Sequence, residues 1–185
     1  TRLPTVSWAG DVYKRQATHS SPRKFTPNFE RNMSDNMIKD LSKNNGLIML
    51  NFGSGFISEQ SNKSFGDINS KVEKYKIENN LKDSDKKILK YKDDLINTVK
   101  PFASINDFVD TIDHVKELVG IDHIGLGSDF EGLGNTLPYD LKDTSTYPNI
   151  LYKLLKKEYS EIEIKKICSD NLFRVWNANL QNRQI

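Results

Sequence analysis

The segment Gly120–Gly132, with the sequence GIDHIGLGSDFEG, constrains the fold of this chain most strongly. In a strand, Ile124 and Leu126 share one face, whereas the two nearby glycines and Asp129 share the other. Side chains on one face and bare backbone on the other favour close packing on the first face and an open cavity on the second. Asp129 then stands at the carboxyl end of the strand, facing the cavity, where barrel and open α/β enzymes keep their catalytic groups. The alternative is that Asp129 only caps the next turn.

The composition indicates one domain and excludes several classes of protein. A chain of 185 residues can bury a sizeable core, and its formal net charge of +2 is too small to indicate nucleic-acid binding. Cys168 is the single cysteine, so an intrachain disulfide is excluded and neither redox compartment is favoured. No apolar run is long enough to cross a bilayer and no signal peptide is visible, so the sequence makes no prediction of localisation.

A second buried strand is predicted before this segment. The apolar run Leu47–Phe52 is bounded by polar residues and glycines, which is typical of a strand buried on both faces of a parallel sheet. An amphipathic helix is predicted over Ser34–Asn45, with Ser34 as its N-cap. Strands alternating with helices predict an α/β fold.

The segment 59–100 is polar and rich in Lys, Asp and Asn. Its apolar residues recur at helical spacing, which predicts one or two amphipathic helices inserted after the second strand. The many charges are interpreted as a solvated helix face rather than a nucleic-acid-binding patch.

Further helices are predicted in the second half of the chain. Capping boxes begin at Ser104 and Ser160, and Pro148 suits the first turn of another helix, whose core face includes Leu155. Cys168 is interpreted as a small buried hydrophobic residue. His114 and His123 are interpreted as structural rather than as ligands, since neither lies at the presumed active end of a strand.

The segment Gly120–Gly132 and three further segments all resemble one protein family. The three further segments are ATHSSPRKFTPNFERN at 17–32, LPYDLKDTSTYP at 137–148 and DNLFRV at 170–175. Together they resemble the membrane dipeptidase (renal dipeptidase) family of zinc metallopeptidases. The resemblance extends from Ala17 to about Trp176 and implies the carboxyl-terminal portion of a (β/α)8 barrel, helix-rich as a fragment.

The resemblance implies roles for four residues. His19 matches a zinc ligand, and Arg31 matches the arginine that binds the substrate's carboxylate, for which its planar guanidinium is suited. Phe56 matches an aromatic residue of the substrate pocket, and Asp129 matches the acid that carries a proton from the attacking water to the leaving amine. Without the resemblance, His19 would be interpreted as a loop histidine, Arg31 as a solvated charge and Phe56 as ordinary packing.

The family pattern also contains parts that this sequence lacks. The resemblance implies two zinc ions. Their first ligands come from an H-x-D motif on the first strand, and the bridging Glu and another His come from middle strands. Of all the family's zinc ligands, only His19 is found in this sequence. A (β/α)8 barrel needs roughly 250 residues. We therefore predict a partial barrel domain over 17–180 with exposed apolar strands, poor solubility and no dipeptidase activity of its own. The intact enzyme is expected to cleave dipeptides and to be capable of forming a homodimer.

Residues 1–16 stand where the family pattern has a strand that leads into the His19 motif, and their ending VYKRQ is typical of translated adaptor sequence. We therefore expect that strand to be replaced by an unrelated start. We predict that the native sequence begins near Ala17. Two other functions stay open: a non-catalytic truncated relative or binding module, and a different two-metal barrel hydrolase acting on lactones or phosphoesters. The segments 137–148 and 170–175 favour the dipeptidase over the latter.

Overall fold

A computed structural model describes residues 16–181 of the chain. Its centre is a sheet of three parallel strands in the order β1 (Gln16–Ser20), β2 (Leu47–Leu50) and β3 (Ile124–Leu126). Ile48 pairs with Ile124, and Leu50 pairs with Leu126. Because all three strands run in one direction, their carboxyl ends meet at one edge of the sheet, which we call the carboxyl edge.

The sheet has one strand more than the sequence predicted. We expected the strand before His19 to be replaced by an unrelated start, but β1 begins at Gln16, which pairs with Leu47. The predicted non-native start otherwise falls on residues 1–15, which lie outside the described residues. The predicted strands at Leu47–Phe52 and at 123–128 are present but shorter.

Helices follow each strand, as the alternating pattern predicts. In chain order they are α1 (Asp35–Lys43), α2 (Ser54–Ile57), α3 (Glu59–Glu78), α4 (Lys86–Val99), α5 (Ile105–Val119), α6 (Phe130–Leu133), α7 (Tyr147–Lys156), α8 (Glu161–Lys165) and α9 (Asn171–Gln181). A π-helical turn, Lys166–Asp170, joins α8 to α9. Both predicted capping boxes are present, at Ser104 and Ser160. Within residues 16–181, no helix is long and apolar enough to cross a bilayer.

One face of the sheet carries the main hydrophobic core. Ile48, Leu50 and Ile124 are fully buried on this face, and they pack with side chains of α5 and α7 such as Phe108 and Leu154. This arrangement follows from strand parity, because alternate residues of β2 point to the same side.

On the opposite face, Gly127 lies against the backbone of the two other strands just after β3 ends. Gly127 has no room for a side chain, because a Cβ there would overlap the carbonyl oxygen of Thr18 and lie 2.7 Å from that of Met49. The expectation of exposed apolar strand side chains is wrong, since Leu47 is buried and Met49 is half-buried. The large exposed apolar side chains belong to helices, for example Trp176 of α9.

Helices α3 and α4 form a hairpin with a small core of its own. Ile68 and Val72 of α3 pack with Ile88 and Ile96 of α4. Two helices are thus present where the apolar spacing predicted one or two. That the hairpin is an insertion relative to other family members stays a prediction.

Two residues that we expected in the core are exposed. Leu155 has 53% of its surface exposed, because Ile150 and Leu154 already fill the inward face of α7. Cys168 is also exposed. It lies in the π-helical turn, whose wider winding changes which residues face inward after Lys166 and leaves Ile167 as the buried one.

Candidate active site at the carboxyl edge

Buried polar side chains lie where β1 and β2 end. Ser20, Ser21 and Asn51 have at most 7% of their surfaces exposed. The backbone N–H of Asn51 donates to the backbone carbonyl of Ser20 at 3.0 Å, and the hydroxyl of Ser21 donates to the backbone carbonyl of Asn51 at 3.3 Å. These bonds hold the two strand ends together at the carboxyl edge.

Asp129 lies at this edge, three residues after β3. Its backbone is left-handed, with φ of 57°, a conformation that Asp and Asn tolerate better than most residues. Asp129 occupies the N-cap position of α6, but its side chain makes no capping bond. The carboxylate instead accepts a hydrogen bond from the side-chain amide of Asn51, with Oδ2 and Nδ2 3.1 Å apart.

Asn51 was missed by the sequence analysis. It is fully buried, and its Oδ1 accepts the backbone N–H of Gly53 at 2.7 Å. That bond fixes the orientation of the amide, because an oxygen must face the Gly53 N–H and the NH₂ group must therefore face Asp129. The signal that could have found Asn51 is its place directly after the apolar run of β2.

Arg31 and Phe56 lie together at the same edge. The Arg31 guanidinium carbon is 5.7 Å from the centre of the Phe56 ring, which is a cation–π contact. The hydroxyl of Ser20 donates to the Arg31 carbonyl at 3.1 Å, and Phe29 packs edge-on against Phe56 with ring centres 5.0 Å apart. Arg31 is exposed, so its guanidinium is accessible to a carboxylate from solvent.

Asn32 connects this pair to the sheet and was also missed. Its side chain is 1% exposed, and it accepts the backbone N–H of Ser21 at 3.0 Å. The same amide donates to the hydroxyl of Thr26 at 2.6 Å and to the Phe56 carbonyl at 2.7 Å. The loop that carries Arg31 is therefore attached to the end of β1 and to α2.

His19 lies in β1 one residue before Ser20 and is exposed. Its Nδ1 is 2.7 Å from the hydroxyl of Thr18, which orients the ring. Among residues 16–181, no hydrogen bond joins His19 to Arg31 or Asp129. The carboxyl edge thus brings the four predicted residues to one side of the sheet, but only Arg31 and Phe56 touch.

The donor set for a metal is incomplete in the described part of the chain. His114 is buried beside α1, where its Nε2 is 2.9 Å from Asp35 Oδ1, and His123 bonds to the Gly46 carbonyl at the opposite edge of the sheet. Both rings are thus held by hydrogen bonds within the chain, and that neither histidine is a ligand stays a prediction. Within residues 16–181, no three His, Cys, Asp or Glu side chains are grouped so that they could hold a metal ion. A catalytic zinc needs about three protein ligands, so these residues do not fit a complete zinc site.

A cleft at the amino edge of the sheet is structural. The Arg174 guanidinium donates to the carbonyls of Asn45 at 2.8 Å and Asp122 at 2.6 Å, and Lys166 pairs with the Asp122 carboxylate at 2.6 Å. The Arg174 contacts attach α9 to the segments that precede β2 and β3.

A parallel α/β sheet whose carboxyl edge carries an exposed guanidinium and a half-buried, hydrogen-bonded carboxylate has the arrangement of an α/β enzyme. A family model described as membrane dipeptidase (peptidase family M19) matches residues 16–184. The match extends over most of the chain, so this chain belongs to the membrane dipeptidase family.

Solved structures share the fold at low sequence identity. A metallopeptidase from Rhodobacter sphaeroides, liganded with a phosphinate mimic of the dipeptide L-Ala-D-Ala, is 20% identical with a TM-score of 0.64, over 90% of this chain and 36% of that one. The dipeptidase AC, a metallopeptidase of family M19, is 22% identical with a TM-score of 0.64, over 90% and 38%. The probable dipeptidase PvdM from Pseudomonas aeruginosa is 22% identical with a TM-score of 0.69, over 92% and 46%. This chain therefore spans less than half the length of these proteins.

Proposed function

We propose that this chain is the carboxyl-terminal part of a zinc-dependent dipeptidase with a (β/α)8 barrel, and that it supplies the substrate-binding half of the active site. The observation that carries the proposal is the position of Arg31, Phe56 and Asp129 at one edge of a parallel sheet. Membership of the membrane dipeptidase family supports the reaction class.

Each residue has a role in the proposed reaction. Arg31 pairs with the terminal carboxylate of the dipeptide through two parallel hydrogen bonds, which restricts the enzyme to short substrates. Phe56 forms a wall of the substrate pocket. A water oxygen attacks the scissile carbonyl carbon, Asp129 takes the proton released by that water, and Asp129 returns it to the nitrogen as the C–N bond breaks. The products are two amino acids.

Zinc is proposed from the family alone. His19 would contribute one imidazole nitrogen, and the remaining ligands would come from outside residues 16–181. In the bound state the metal would polarise the carbonyl and lower the pKa of the attacking water. A homodimer of the whole enzyme is proposed on the same basis.

The first prediction compares the 185-residue chain with the longer gene product proposed to contain it. With L-Ala-L-Ala and L-Ala-D-Ala as substrates, we expect turnover from the longer protein and none from the chain. Chelation should abolish the turnover, and added zinc should restore it. Arg31→Lys, which keeps the charge but loses the planar fork, should raise KM more than it lowers kcat. A longer protein that is loaded with zinc and cleaves no dipeptide would refute the proposal.

The incomplete donor set favours a second function for the chain as it stands, that of a non-catalytic binding module for small carboxylates. Calorimetry with a dipeptide and with its carboxyl-terminal amide distinguishes this function, because pairing with Arg31 requires the free carboxylate. Equal heats for the two ligands would exclude it. Turnover of a lactone or a phosphoester, but not of a dipeptide, would instead favour a different two-metal barrel hydrolase.

A further inference from the structure

The Asp129 carboxylate is held between two uncharged residues, Asn51 and Gly132, and we call this arrangement the Asp129 seat. On one side, the Asn51 amide donates to Oδ2 at 3.1 Å. On the other side lies Gly132, where a Cβ would overlap Oδ1 and lie 3.1 Å from Cγ. The backbone N–H of Gly132 also donates to the Asp129 carbonyl at 3.0 Å. A larger residue at 132 would therefore displace the carboxylate.

Asn51 is itself held by the ends of two strands. Its Oδ1 accepts Gly53 N–H at 2.7 Å, its backbone N–H donates to the Ser20 carbonyl, and its own carbonyl accepts the Ser21 hydroxyl. A fully buried amide with its backbone and its oxygen already bonded has little freedom to rotate. Its NH₂ group is thus a fixed donor aimed at one oxygen of Asp129.

We propose that Asn51 is a positioning residue for Asp129, which holds Oδ2 and leaves Oδ1 as the oxygen that exchanges the proton. The assignment of the proton rests on the proposed function. The seat itself does not, because it consists of contacts within the chain. The Asn51 amide already uses part of the lone-pair capacity of Oδ2, so Oδ1 is the better acceptor for the proton of the attacking water. The same oxygen then donates that proton to the leaving amine.

The seat is tested by NMR on the 185-residue chain. Asp129→Asn removes the charge next to the Asn51 amide but suits the left-handed backbone, so we expect the side-chain NH₂ resonance of Asn51 to move and the remaining resonances to stay. Ser54→Ala is the matched control, because it changes the first residue of α2, close to Asn51 in the chain, at a hydroxyl that has no hydrogen-bond partner among residues 16–181. An Asn51 resonance that is unchanged by Asp129→Asn would overturn the proposal.

The consequence for catalysis is tested on the longer protein. Asn51→Asp keeps the acceptor for Gly53 N–H but replaces the amide donor with a second carboxyl group, which repels the Asp129 carboxylate or shares its proton. We therefore expect kcat to fall roughly 10- to 100-fold while KM stays within about twofold. Gly132→Ala should give the same split without touching Asn51, which keeps the proposal testable if Asn51→Asp fails to fold. Unchanged kcat in the folded variants would overturn the inference and leave the proposed function standing. An inactive wild-type protein would refute the function, and the NMR result would then decide the seat alone.

Discussion

Asp129 and Arg31 lie at one edge of the sheet, but each depends on a buried asparagine that carries no charge. Asn51 orients the carboxylate, and Asn32 holds the loop that carries the guanidinium. Short polar side chains suit both positions because each must satisfy donors and acceptors that no longer reach water. Asn51 and Asn32 hold these two groups in place, so the carboxylate and the guanidinium stay available to a ligand.

At the residue scale, we predict that Asn32→Ala lowers the free energy of unfolding by about 2–4 kcal/mol. The substitution leaves Ser21 N–H, the Phe56 carbonyl and the Thr26 hydroxyl without their partner in a buried site. Urea unfolding followed by circular dichroism measures the loss.

Asn62→Ala is the control for this prediction. Asn62 is half-buried and makes one side-chain bond, to the Gly55 carbonyl at 2.8 Å, so its loss should cost about 1 kcal/mol. Equal losses for the two variants would show that the Asn32 network is not a special support of the loop.

The sequence motifs predicted Asp129 and Arg31 as site residues, which stays a prediction, and they did not reveal Asn51 and Asn32. Asp129 and Arg31 stand in long motifs, whereas Asn51 and Asn32 gain their importance from contacts across 78 and 24 residues of the chain. Contacts between distant segments cannot be predicted from local spacing. The prediction for Cys168 is wrong for a different reason: α-helical spacing assigned it to the core, but a π-helical turn directs it outward.

At the element scale, charged and hydroxyl groups join α5 to α8 and to the turn between α7 and α8. The Tyr159 hydroxyl donates to Asp113 at 2.6 Å, and both partial burial and the neighbouring carboxylate raise the pKa of that phenol. Lys116 pairs with Glu163 at 2.7 Å. This Lys116 bond, together with the backbone N–H of Ser160, lowers the pKa of Glu163 to about 2.

The lowered pKa of Glu163 predicts a loss of stability in acid. A carboxyl group whose pKa is lower in the folded state stabilises the fold above its unfolded value of 4.5, and this contribution is lost as the pH falls towards 2. Since the pair is partly exposed, we expect the effect to be on the order of 1 kcal/mol.

Glu163→Gln tests this prediction, because glutamine keeps the capping box but does not titrate. Urea unfolding of wild type and variant between pH 5 and pH 2 should give a steeper loss for the wild type. Parallel curves would contradict the assignment of the acid sensitivity to Glu163.

On the scale of the whole molecule, apolar side chains are exposed along α9. Phe173 and Trp176 have 59% and 58% of their surfaces exposed, and Leu180 follows one helical turn later with 47%. These three residues form a stripe on one side of the helix, because their spacing is three and four residues. A stripe of this kind promotes self-association of an isolated chain.

We therefore predict that Trp176→Gln raises the solubility of the chain and leaves its melting temperature nearly unchanged. Val175→Ala is the matched control on the same helix. Val175 is 1% exposed, so its truncation should lower the melting temperature and leave the solubility no better. Light scattering and thermal denaturation measure the two properties. If Trp176→Gln and the wild type were equally soluble, the stripe on α9 would not limit the solubility of the chain.

The left-handed backbone at Asp129 limits which residues can replace the acid without strain. Glycine and asparagine adopt that conformation readily, whereas a β-branched residue would strain the turn. Two substitutions of the acid therefore keep the architecture, so a descendant of this protein could lose the proposed reaction and still be folded, abundant and unchanged in shape.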